Sequence, residues 1–149
     1  MLEMNDVMSR WKKHREVLHK LIELDHSELV QYKPWEGGMS YGELALHIAL
    51  STEMFANSIV RGEFTPPQSK DEWNTLEDVR NLLHRYTEST SSLLSSITEE
   101  HLQKEVTFFG NTAPAYIFLS NALDHEVHHK GQLFTYARMA GVTELPFFM

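Results

Sequence analysis

The sequence predicts an all-α protein, a four-helix bundle in one domain spanning residues 1–149. Three observations carry this. Apolar residues recur at helical rather than alternating spacing in four long stretches. Cap signals stand at the starts of two of them, Ser40 with Glu43 and Thr75 with Asp78, and glycines at two ends, Gly62 and Gly141. One short segment, Glu105–Thr112, has a strand-like pattern ending in a Gly-Asn turn, and a single such piece cannot make a sheet.

Composition narrows the function. With 149 residues, 42% hydrophobic and 23% charged, the chain can bury a substantial core. A net charge of −8 argues against nucleic acid or an anionic membrane as partner, since both favour basic surfaces. There is no cysteine, hence no disulfide, no thiolate ligand and no cysteine nucleophile. Any metal must be held by histidine, carboxylate and water. Neither a signal-peptide pattern nor an apolar run of about 20 residues is present, so the expectation is a soluble cytoplasmic protein.

The first helix is expected from Asp6 to about Val30, capped by Asn5 or Asp6, with Val7, Trp11, Val17, Leu18, Leu21, Ile22, Leu24 and Leu29 inward. His14, His19 and His26 on it read as solvated or rim residues. Tyr32–Met39, with Pro34 and two glycines, is a connector. The second helix opens at Ser40, and its inner face runs Leu44, His47, Ile48, Ser51, Met54, Phe55 and Ile59. Gly62 ends it, and Pro66-Pro67 keeps the next segment extended. This connection to Asn74 is longer than a turn and either shapes a pocket or is a plain crossover. The third helix runs from the Thr75 cap to about Ser96, with His84 exposed. Thr98–Leu102 is a short capped turn with His101 at the surface. Thr112 is expected to cap the final helix, with Pro114 in its first turn. The inward set there is Phe118, Ala122, His125, His129, Gln132, Leu133 and Tyr136, Gly141 ends the helix and Pro146 blocks a restart.

The chemistry concentrates on Asp124–Gln132, where three histidines fall within five positions. Residues four apart share a helical face, so His125 and His129 can grip one ion. The string also matches HExxH, the zinc-protease pattern. That reading lacks a further ligand. Gln132 and Thr135 stand where a metzincin continues its motif, and the 20 residues after His129 hold one acid, Glu144. His47, set in the apolar stripe of the second helix, supplies the third imidazole instead. Helices in a bundle pack about 8–10 Å apart, so the three can meet. Three neutral nitrogen ligands leave positions open for water or substrate, as in catalytic metal sites. His128 flanks the same face and competes as ligand; the spacing of four favours His125. Asp124 and Glu126 point to either side of His125, placed to orient an imidazole or to act as base through a water, with Glu126 the candidate base.

Pro34, Ser40 opening a helix, Leu44-Ala45-Leu46-His47-Ile48, and His125-Glu126-Val127-His128-His129-Lys130-Gly131-Gln132 ending near Gly141-Val142 together resemble the DinB superfamily. The resemblance spans nearly the whole chain; Lys130 stands where many members have arginine. It implies an up-and-down four-helix bundle with an unusual long crossover, often a homodimer, and a divalent metal on His47, His125 and His129. Zinc or nickel is the leading ion, and three imidazoles plus water also suit iron, cobalt or manganese. It further implies transfer of a low-molecular-weight thiol, bacillithiol being one candidate, to an electrophilic small-molecule substrate. A thiol or water held by the ion would be the reactive group, and Gly62–Trp73 with Trp35 would shape the second-substrate pocket. Two other readings need the same histidines: a non-catalytic metal-binding stress-response protein, and a metal-activated hydrolase using Glu126. The apolar C-terminus (Leu145, Phe147, Phe148, Met149) either forms a dimer patch or folds back.

Overall fold

The computed structural model describes residues 3–67 and 71–149. Four long helices form the bundle: α1 (Met4–Ile22), α2 (Tyr41–Arg61), α3 (Leu76–Ser96) and, after a short α4 (Glu99–Gln103) and a hairpin, α5 (Ala115–Met139). The hairpin strands β1 (Glu105–Phe108) and β2 (Asn111–Pro114) pair antiparallel, Glu105 opposite Pro114 and Phe108 opposite Asn111. No helix among the described residues is long and apolar enough to cross a membrane.

Local chemistry sets most boundaries. Ser40 and Glu43 close a reciprocal capping box at the start of α2, and Thr75 with Asp78 does the same for α3. Gly62 ends α2 in the left-handed conformation, φ 73°, where a side chain would be strained. Three expected boundaries move. The first helix begins at Met4, with Glu3 in the N-cap position, so Asn5 and Asp6 lie inside it rather than capping it. The first helix stops at Ile22, and Ser27–Gln31 is a separate 3₁₀ helix whose Leu29 and Val30 still reach the core. The final helix starts at Ala115 rather than at a Thr112 cap. Thr112 lies in β2, where its hydroxyl shares a 2.7 Å hydrogen bond with that of Thr107. Phe109 and Gly110, both with positive φ (49° and 83°), make the tight turn, so the segment doubles back as a hairpin.

Contacts along the helices fix their directions. Arg80 Nε donates to the Ile22 carbonyl and Arg15 Nη1 to Thr87 Oγ1, so α1 and α3 run antiparallel. His47 meets His125 and His129 while Tyr136 reaches the Met39 carbonyl, so α2 and α5 are antiparallel too. Ala45 and Val79 share one apolar cluster and Ile59 and Leu94 the other, so α2 and α3 run the same way. The α2–α3 connection is therefore a crossover that must return the length of a helix of roughly 31 Å, which is why it is long.

The core is split into two apolar clusters, one at each end of the bundle. Between them every long helix contributes a buried polar side chain: His14 and Arg15 from α1, Thr52 from α2, Thr90 from α3, Glu126 and Lys130 from α5. The histidines of α2 and α5 lie at this level.

Candidate metal centre

Helix α2 has two working faces. Leu44, Ile48, Ala49, Ala56 and Ile59 fill the core, while His47, Ser51, Met54 and Phe55 are only half-buried and border a groove. Helix α5 is turned similarly: its most buried positions include Glu126, Lys130 and Leu133, leaving His125 and His129 one step round, half-buried.

His47, His125 and His129 converge. One ligand nitrogen from each lies within 4.8 Å of the others, and the ring centroids are 4.4–5.0 Å apart. His128, the sequence competitor, is exposed; its ring touches that of His129 (4.8 Å) but it is not among the converging nitrogens. Burial, then the neighbouring His129, His47 and His128, lowers the His125 pKa to about 4. His47 is lowered as well, by burial and then by His129. Both are thus neutral near pH 7, the form that ligates a metal. His129 Nδ1 donates to Gln132 Oε1 (2.6 Å), fixing the tautomer that keeps Nε2 unprotonated. His125 Nδ1 is buried without a partner, an unmet valence of the kind a bound cation satisfies. The donor set fits a divalent ion of the kind that accepts imidazole.

Glu126 is placed differently from the expectation. Its carboxylate accepts from Trp11 Nε1 (3.2 Å), Arg15 Nε and Nη2 (3.0 and 2.7 Å) and Thr52 Oγ1 (2.9 Å), all buried. Both oxygens are spent inside the bundle, so Glu126 is corrected from candidate base to structural carboxylate. Asp124, on the other side of His125, is exposed. Of the histidines expected to be solvated or at the rim, His14 is instead buried, and His19 is half-buried at the rim. Lys130 Nζ, itself buried, donates to His14 Nδ1 (2.8 Å) and to the Phe148 carbonyl, which ties down the C-terminal tail. His19 shares a 2.9 Å hydrogen bond with Thr87 and stacks on the exposed His84. His26 and His101 are at or near the surface, His101 serving the capping box at Thr98.

A cleft of about 820 Å³ opens beside His47 and His125. Pro67, Asp71 and Trp73 of the crossover border it, as does Tyr86; residues 68–70 of that expected lining lie outside the described residues. Trp35 does not border it. It is exposed and packs edge-on against Tyr136.

A DinB-family model matches residues 1–148. The chain belongs to the DinB family. It is 40% identical over 151 aligned positions to the protein YjoA of Bacillus subtilis, covering 99% of this chain and 97% of YjoA. The crystal structure of YjoA, DinB-like, matches with TM-score 0.84 at 39% identity over 97% of both chains. A DinB-like protein from Bacillus cereus matches at TM-score 0.78 and 21% identity, covering 95% of this chain and 94% of its own. The mycothiol-dependent maleylpyruvate isomerase, crystallised as a mutant, shares the fold at TM-score 0.69 and 16% identity, over 89% of this chain and 61% of that one. In this DinB protein the sequence motif's two histidines and the lone α2 histidine form the convergent group.

Proposed function

We propose that this DinB protein is a divalent-metal-dependent transferase that activates a low-molecular-weight thiol and passes it to an electrophilic small molecule. One observation carries the reading: three imidazoles converge beside a cleft of ligand size that His47 and His125 line. The fold it shares with a mycothiol-dependent isomerase supports a thiol as the partner, bacillithiol being one candidate. A divalent ion, zinc or nickel before iron, cobalt or manganese, would supply a Lewis acid that lowers the thiol pKa. With no cysteine in the chain, the sulfur must come from outside. His47, His125 and His129 would hold the ion, Gln132 would keep His129 in its ligating tautomer, and the cleft would hold the second reactant. The net reaction forms one carbon–sulfur bond: with a chlorinated electrophile the carbon–chlorine bond breaks and chloride and the thiol proton pass to solvent, and with an epoxide one ring carbon–oxygen bond breaks and that oxygen, kept in the product, takes up a proton.

The hydrolase alternative loses its base, since Glu126 is bound on both oxygens. The working unit is proposed to be a homodimer in the cytoplasm, supported by the exposed Phe147, Phe148 and Met149, and light scattering should give the mass of two chains. The activity is tested by assaying purified, metal-loaded protein with several thiols against chlorinated and epoxide electrophiles. A metal-dependent conjugation rate that disappears in His129→Ala is expected. No metal-dependent rate with any thiol would favour a non-catalytic metal-binding protein.

A further inference from the structure

The cleft has a shape and a charge pattern that the histidines do not explain. It runs from Met39, just ahead of α2, along the outer stripe of that helix through Glu43, Leu50 and Met54 to Phe55, with His47 part-way along. Glu43 to Phe55 is twelve helical steps of about 1.5 Å each, which makes the helical wall of this groove roughly 18 Å long. Trp73 borders it from the crossover and Phe109 from the hairpin tip. Phe109 is 75% exposed, held in a positive-φ turn while its neighbour Phe108 anchors the hairpin in the core. Large aromatic surface is costly to leave in water, and at a groove mouth it marks a binding surface. Met39 and Met54 add flexible, polarizable walls that adapt to more than one shape.

The charged side chains along the groove are acidic. Asp71 is neutralised locally, accepting from Tyr86 Oη and paired with Arg85. Glu43 has no cationic partner among the described residues. No lysine or arginine among the described residues lines the groove. Among the described residues an anion bound here would face the Glu43 carboxylate and the already paired Asp71 with no cation left to meet it, whereas an uncharged apolar body would lose little on leaving water.

We propose that this groove binds an extended, uncharged, largely apolar molecule, with Met54, Trp73 and Phe109 as its binding residues. That this molecule is the electrophile of the transfer rests on the function proposed above; the binding itself does not. The test uses two probes that share one apolar body, neutral N-phenyl-1-naphthylamine and anionic 1-anilinonaphthalene-8-sulfonate, titrated fluorimetrically into metal-free full-length protein. The neutral probe should bind at one site per chain, about tenfold or more tighter than the sulfonate, because the sulfonate must shed water beside carboxylates. Met54→Lys and Ser51→Lys should each weaken the neutral probe and strengthen the sulfonate, and Phe109→Ser should weaken the neutral probe, with circular dichroism unchanged. Equal or tighter binding of the sulfonate, or neutral-probe binding indifferent to all three substitutions, would overturn the proposal. So would loss of the neutral probe as protein concentration rises into a dimer, which would mean that a second copy fills the groove. Since no metal is present, failure here leaves the metal site standing, and failure of the metal site leaves this result standing.

Discussion

His125 and Glu126 are consecutive on α5, yet one borders the groove with an unpartnered nitrogen and the other sits 1% exposed with both oxygens bonded. Their division of labour makes a prediction that separates structure from chemistry. Glu126→Ala leaves the buried Arg15 guanidinium unpaired and should cost about 3–5 kcal/mol in urea unfolding. Glu126→Gln should cost less and, once folded, bind metal as the wild type does. His19 gives a pH prediction. Burial, then His84 and Arg15, lowers its folded pKa to about 4 from the ordinary 6.5. Its contribution to stability is therefore complete above pH 6.5 and is lost as pH falls toward 4, because the unfolded chain takes up the proton first. Denaturant midpoints measured from pH 7 to 4 should fall less steeply in His19→Gln than in the wild type. The converging histidines were legible because spacing of four on a helix and one histidine in an apolar stripe are local patterns. The buried charges were not: Arg15 finds its partner 111 residues away. A local signal did exist, since Arg15 falls in line with Trp11, Leu18 and Ile22 on the buried face of α1.

Caps and turns explain which element boundaries the sequence revealed. The Ser40 and Thr75 boxes and the Gly62 and Gly141 ends are short-range chemistry and appear where expected. Ser40→Ala should accordingly cost about 1 kcal/mol in thermal or urea unfolding, by removing the acceptor for the Glu43 amide. The first helix reads too long because Leu24, Leu29 and Val30 continue an apolar pattern through a 3₁₀ turn; hydrophobic spacing reports burial, whichever helix delivers it. The hairpin escaped because its second strand, Asn111–Pro114, is only four residues long and half polar. Its role is visible only in three dimensions: Phe108 stacks on Phe55 and packs at a tilt against Phe118, and this packing carries Phe109 to the groove.

At the scale of the molecule, two apolar clusters clamp a buried polar layer, and the three histidines lie where that layer reaches the surface. The Thr52–Glu126 hydrogen bond joins α2 to α5 at this level, so the helices carrying His47 and the 125/129 pair are tied next to the histidines they present. The same tie predicts that Thr52→Val, which keeps the shape and removes the donor, weakens metal binding more than it weakens folding, read by comparing metal titration with urea unfolding. The most direct test of the whole account is metal content after loading with zinc or nickel and removal of free ion, measured by elemental analysis on wild type and on folded His47→Ala. One ion per chain in the wild type and a substoichiometric amount in His47→Ala is the predicted result. A wild type that retains no ion, or a His47→Ala protein that keeps a full one, would contradict a centre built from α2 and α5 together.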